Sequence, residues 1–319
     1  FIMSPQTLTL VATMMMSIMM ILSSSAWLDI WLALELSSLV FLPFLVSVNN
    51  KTSSIVLFKY FSIQAILSFS LLMSFTISST SPMVYLVFSI MAVKLNLAPF
   101  YSWMTLMVKT FDWKTLMIFF TLQKVPPFMV LPLTLKENHM LPILLITLSL
   151  ILPTLQVLHE NWIRVIFFLS ATFHSAWMTT VLVKSMFKEW TIYFAVYTIN
   201  IVLLMILMEL MSYEQMTEML SKTNNQVLKI SFFVLFLTYM GLPPFSSFIA
   251  KMLVILSMMK MKALLTLMMF TTSVWVFIYF RLTLKMWLMM DKTEGVKKMI
   301  SPVLIVLIPT NISLLFLIM

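Results

Sequence analysis

The chain has 319 residues, of which 61% are hydrophobic and 10% charged, with a mean hydropathy of +1.05; a soluble globular domain is about half apolar and about a quarter charged, so that class is excluded. The formal charge of +9 resides mostly in short connections between apolar stretches, which reads as anchoring at a membrane surface and not as nucleic-acid binding. With no cysteine, only two glycines (Gly241 and Gly295) and histidines scattered at 139, 159 and 174, the chain excludes thiolate-ligated clusters, a glycine-rich phosphate loop and a recognisable haem or metal pattern of its own.

In chain order, eleven apolar segments are predicted, at roughly 6–24, 27–48, 53–76, 83–108, 113–134, 140–158, 161–184, 188–211, 228–257, 262–289 and 300–319. Each is long enough to cross a hydrocarbon layer of about 30 Å as a helix. The first lacks a basic leader region and is followed by equally apolar segments, so it reads as a span and not as a cleavable signal. The fourth and ninth are too long for one straight span, and each contains proline: Pro99 in the fourth, Pro243 and Pro244 after Gly241 in the ninth. Both are predicted to be broken helices. The fold class is therefore an all-α polytopic membrane protein.

Charges inside the spans demand a reason, because an ionised side chain at the bilayer centre costs at least ~2.5–3.5 kcal/mol. Glu35 is eight residues into the second span, about 12 Å deep at about 1.5 Å per residue. Lys124 is equally central in the fifth, within Gln123-Lys124-Val125-Pro126-Pro127; Lys94 lies five residues before Pro99, and Lys251 seven after Pro244. Unpaired, the four would cost on the order of 10 kcal/mol, so they are expected to face one another or water. Lys59 and Arg281 read either as snorkelling residues or as members of the same path. His174, beside Ser170, Thr172 and Ser175, reads either as a satisfied buried histidine or as a proton relay.

Lysine suits proton movement because burial disfavours its charged form, whereas arginine stays charged. Proline rings at 99, 243 and 244 deprive the carbonyls of Leu95, Tyr239 and Met240 of helix partners, and such carbonyls survive at membrane depth only where they line protein or water. Gln64, Asn96, Gln123 and Ser170 add groups that can bind water between the titrating side chains. The two breaks also share a pattern, Pro99-Phe100-Tyr101-Ser102-Trp103 and Pro244-Phe245-Ser246-Ser247-Phe248. They lie five spans apart, the arrangement of an inverted repeat. The connections after even-numbered spans hold Lys51, Lys109, Lys114, Lys222, Lys229, Lys292, Lys297 and Lys298, against Lys136, Lys184, Lys188, Lys260 and Lys262 after odd ones. That bias puts the N-terminus on the cytoplasm-like or matrix-like side and, with an odd span count, Met319 on the other.

Seven segments in order carry a family resemblance: "WLALELSSLVFLPF" around Glu35, "FKYFSIQA" at 58–65, "MAVKLNLAPFYSW" at 91–103, "TLQKVPPF" at 121–128, "RVIFFLSATFHSAW" at 164–177, "GLPPFSSFIAK" at 241–251 and "YFRL" at 279–282. The chain resembles the antiporter-like membrane-arm subunits of respiratory complex I, specifically the subunit-two family of animal mitochondrial NADH dehydrogenase. The resemblance implies one transmembrane domain over 1–319, with five-helix inverted repeats at about 6–134 and 140–289 and an extra helix at 300–319. It implies that Glu35, Lys94, Lys124 and Lys251 carry protons from matrix to intermembrane space, coupled to NADH:ubiquinone oxidoreduction in other subunits. The complex would use FMN, iron–sulfur clusters and ubiquinone, none of them held by this chain. Expected partners are neighbouring membrane-arm subunits and lipids in the mitochondrial inner membrane, with a matrix-side N-terminus and an intermembrane-space C-terminus. The chain departs from the family at Val165, where a lysine is usual after arginine, at Asn96, often glycine, and at Tyr101, often histidine. Two other readings stay open: a stand-alone secondary cation/proton antiporter, and a membrane scaffold whose buried charges serve assembly.

Overall fold

Ser4 accepts a hydrogen bond from the Thr7 backbone N–H at 3.3 Å and Pro5 takes the first helical position; the hydroxyl cap satisfies one orphan donor of the helix start and the proline removes another. From there the described residues are helical almost throughout. The computed structural model describes residues 4–48, 54–76, 81–134, 140–211, 226–243, 245–259 and 261–287. Its helices are α1 (Pro5–Ser23), α2 (Trp27–Val48), α3 (Ser54–Thr76), α4 (Ser81–Lys94), α5 (Ser102–Val108), α6 (Trp113–Phe120), α7 (Val125–Thr134), α8 (Met140–Val157), α9 (Ile163–Val183), α10 (Phe187–Met211), α11 (Gln226–Met240), α12 (Ser246–Ser257) and α13 (Lys262–Trp287). No strand occurs among the described residues.

Among the described residues, eight segments are long and apolar enough to cross a membrane, and two further spans are split, as α4/α5 and α11/α12. This is a multi-pass membrane protein. The eleventh predicted segment, 300–319, lies outside the described residues, as do Pro244 and the connection lysines at 51, 136, 222, 260, 292, 297 and 298. Hydroxyls inside the spans are absorbed locally: Ser17, Ser37, Ser74, Thr172, Thr179 and Thr180 each donate to the backbone carbonyl three residues earlier, which removes the cost of an unpaired polar group in lipid.

Two compact units divide the chain, Phe1–Ser149 and Leu150–Met319, and the division falls inside α8. In the first unit α2 packs against α1, α3, α6 and α7, and α4 packs against α3 and α7. Its centre is aromatic: the ring of Phe41 lies 5.4 Å from Tyr60 and 5.8 Å from Phe119. In the second unit α10 packs against α9, α11 and α12, and α11 against α13. All of α9, Ile163 to Val183, is buried, so a helix carrying His174 and several hydroxyls has no lipid-facing side.

Proline by itself does not interrupt these helices: Pro43, Pro132 and Pro153 sit inside α2, α7 and α8. Positive φ marks the ends instead. Asn96 (φ 57), Ser185 (φ 56) and Gly241 (φ 78) each follow the end of a helix. At the first, Asn96 N–H donates to Val93 O at 3.0 Å and Leu97 N–H to Ala92 O at 2.8 Å, the hydrogen-bond pair of a Schellman stop. The first half of the fourth span therefore ends at Lys94, five residues before Pro99. Asparagine is among the few residues that enter the left-handed region readily, which is why it can stand where the resembling family often has glycine.

The fifth span holds an interruption beyond the two expected. Between α6 and α7 the chain makes a 3-10 turn, Leu122–Lys124. The Val125 N–H takes the Leu122 carbonyl because Pro126, four residues on, has no N–H to offer it. Pro126 and Pro127 then sit in the first turn of α7, where missing donors are harmless.

Candidate functional site

Each unit holds one polar cluster at a helix interruption. In the first, Glu35 is half-buried on α2, and its Oε2 is buried without a hydrogen-bond partner among the described residues. It lies within electrostatic reach of Lys94 and of the Tyr60 hydroxyl. Lys94 is the last residue of α4, at the end where the helix dipole favours a cation. With Ser37, Ser38, Tyr60, Gln64 and Gln123, Lys94 lines a cavity of about 20 Å³, room for about one water among groups able to bind it.

The 3-10 turn brings the fifth span to this cluster. Gln123 Nε2 donates to the Ser37 carbonyl at 2.8 Å, tying the turn to α2 two residues from Glu35 along the chain. The next residue, Lys124, is only 3% exposed. Burial of a lysine stem and ammonium at this depth requires polar company, and the turn supplies unwound backbone as well as the glutamine.

In the second unit the Gly241 break and Lys251 form one device. Lys251 Nζ donates to the Met240 carbonyl at 2.8 Å, a carbonyl whose helical donor would have been residue 244, a proline. The lysine side chain runs directly over Gly241: a Cβ there would stand 2.9 Å from Nζ and 3.1 Å from Cδ. Gly241 thus answers two demands, positive φ and room for the lysine. The Thr238 carbonyl receives the Gly241 N–H at 3.2 Å and the Ser247 hydroxyl, which stitches the start of α12 to the end of α11.

Around Lys251 the lining is aromatic and polar, with no carboxylate. A cavity of about 10 Å³ is lined by Lys251, His174, Tyr193, Tyr197, Asn200 and Tyr239, with Ser247 and Ala250. His174 Nδ1 is 2.8 Å from the Tyr193 hydroxyl, and its ring lies 4.9 Å from that of Tyr239 and 5.3 Å from that of Tyr197. Ser170 Oγ is 3.1 Å from the Tyr239 hydroxyl. The imidazole, two hydroxyl-bearing helices and the lysine thereby form one connected neighbourhood.

Of the residues singled out in the sequence, the structure gathers Lys94 with Glu35 and the Gln123 turn, and Lys251 with Gly241 and His174. Lys59 and Arg281 are exposed on α3 and α13 and line neither cavity. Tyr60, Tyr193, Tyr197, Tyr239 and Asn200 were not anticipated. A signal was present for three of them: positions 193, 197 and 200 fall on one face of α10.

Residues 77–276 match the family described as NADH:quinone oxidoreductase/Mrp antiporter, TM. NADH-ubiquinone oxidoreductase chain 2 of Mungos mungo is 30% identical over 320 residues, covering 92% of this chain and 89% of that protein. The backbone is similar to a chain of respiratory complex I from Thermus thermophilus solved with bound aureothin, with a TM-score of 0.84 at 19% identity over 99% of this chain and 79% of that one. It is also similar to a chain of the Mrp complex from a Dietzia species, with a TM-score of 0.76 at 14% identity over 92% of this chain and 62% of that one.

Proposed function

Since the chain belongs to the NADH:quinone oxidoreductase/Mrp antiporter transmembrane family, we propose that it is a membrane-arm subunit of respiratory complex I that conducts protons through a hydrated Glu/Lys axis. The observation carrying this reading is the placement of lysine at each helix interruption: Lys94 ends α4, Lys124 ends the 3-10 turn, and Lys251 caps the freed carbonyl of Met240. Such groups at membrane depth are costly and are kept for ion or proton movement. NADH:ubiquinone oxidoreduction supplies the driving force from other subunits, which hold FMN, iron–sulfur clusters and ubiquinone; this chain's part is translocation.

In this reading Glu35 sets the charge of Lys94 by proximity. Moving the carboxylate or its proton loads or unloads the lysine, and Lys124 passes the proton on. Lys251 and His174 form the second station. The subunit then sits in the mitochondrial inner membrane among neighbouring antiporter-like subunits and lipids, with its N-terminus in the matrix and its C-terminus in the intermembrane space. Lys94→Met or Lys124→Met in the assembled complex is expected to abolish NADH-driven proton pumping while leaving assembly intact. Unchanged pumping and turnover in both variants would overturn the relay.

A second reading, a stand-alone cation/proton antiporter, is favoured by the likeness to the Mrp complex chain. Native electrophoresis separates the two: a complex I subunit migrates with a very large assembly, an antiporter alone or as a small oligomer.

A further inference from the structure

The cavity beside Lys251 contains an acceptor that the relay just described does not use. Asn200 stands on α10, which packs against α12, one turn beyond Tyr197 on the face that carries Tyr193. It is 1% exposed, and its Oδ1 has no hydrogen-bond partner among the described residues. It opens on the same small cavity as Lys251 and His174. A buried amide oxygen left unpaired is costly, so it persists where a donor can visit it. Lys251 has three N–H donors, one of them given to the Met240 carbonyl.

We propose that Asn200 is a positioning residue for Lys251, its Oδ1 being a second seat for the ammonium, so that the lysine alternates between Met240 O at the helix break and Asn200 inside the aromatic cavity. The inference rests on the reading of Lys251 as a proton carrier. The proton travels on Nζ; no covalent bond forms or breaks in the swing. The four-carbon stem is flexible enough for it, and the cavity admits about one water-sized group. The titratable groups facing Lys251 are His174 from α9, Tyr193 and Tyr197 from α10 and Tyr239 from α11, with Tyr279 of α13 behind Tyr239 at 5.6 Å between rings. None of the residues lining the cavity is a carboxylate. A neutral oxygen holds the ammonium without trapping it, as an ion pair would.

The test uses the intact complex in proteoliposomes, with NADH-driven proton uptake per electron pair followed against pH for Asn200→Leu, Asn200→Asp, Lys251→Met and the Asn200→Leu/Lys251→Met pair. At matched amounts of complex, Asn200→Leu is expected to lower proton uptake about tenfold, the loss of one hydrogen bond to a charged group, and to add nothing in the Lys251→Met background. Asn200→Asp, of the same shape, is expected to move the alkaline limb of the profile to higher pH. Should Asn200→Leu fail to assemble, that limb carries the test, and an unmoved limb overturns the proposal. Wild-type pumping in Asn200→Leu with a dead Lys251→Met sinks the Asn200 inference alone, whereas normal pumping in Lys251→Met sinks the reading beneath it.

Discussion

The two broken spans place a lysine at the same end of the leading half-helix by opposite routes. Lys94 precedes its break, as the last residue of α4. Lys251 follows its break, seven residues after position 244, and reaches back to the carbonyl of Met240, the last residue of α11. Each side chain thus serves the negative end of a helix dipole. The surroundings differ: a carboxylate acts on Lys94, while phenols, an imidazole and an amide line the cavity of Lys251. A carboxylate stands near the first lysine, and the cavity of the second is lined without one. The backbone differs as well, because the first break is turned by Asn96 at positive φ, whereas the second is turned by a glycine that also leaves room for the lysine.

The largest expected effect strikes both stations alike. Lys94→Met and Lys251→Met should each lower proton pumping by about 100-fold or more, the scale of a lost acid–base group; Glu35→Gln should match the loss only at the first station if the carboxylate tunes Lys94 alone. Pumping by the purified complex in proteoliposomes decides this, and equal damage to both stations from Glu35→Gln would erase the contrast drawn above.

Next in size is the backbone comparison. Gly241→Val should destabilise by more than the ~1–2 kcal/mol of left-handed strain, because its side chain also evicts Lys251, and pumping should fall with stability. Asn96→Ala should cost only that strain and leave pumping per assembled complex intact. Thermal inactivation and pumping measured together separate the two. Smaller again, Tyr193→Phe and Gln123→Leu each remove one hydrogen bond, about 1 kcal/mol. The first should release His174 and the second should loosen the Lys124 turn from α2, so their effects on pumping should add when combined. The smallest change is Asn96→Gly, expected to leave thermal stability within about 0.5 kcal/mol, since glycine and asparagine both accept positive φ.

Much of the candidate site was legible in the chain because charge in a hydrophobic run is conspicuous. Glu35, Lys94, Lys124 and Lys251 announce themselves by cost alone, and the over-long spans with Pro99 and Pro243 announce the breaks. The polar residues that surround the lysines were less visible. Tyrosine and asparagine carry no charge to mark them, so Tyr193, Tyr197 and Asn200 gain meaning only from sharing a cavity with Lys251. Lys59 and Arg281 show the converse: both looked eligible, and their exposure on α3 and α13 agrees with side chains that extend toward a membrane surface.

Length and hydropathy determined the class and the spans found among the described residues, because a helix that satisfies its own backbone is the economical way for one chain to cross lipid. Local chemistry determined that something had to break near Pro99 and Gly241. Which residue turned each break was decided by tertiary structure: Asn96 in one case, and in the other a glycine chosen by the lysine lying on it. The same holds for Pro126, whose missing donor became a 3-10 turn held by Gln123 on Ser37, while Pro43, Pro132 and Pro153 left their helices whole. A proline only removes a hydrogen bond; contacts distant in sequence decide whether the chain bends there and which side chain takes up the freed carbonyl.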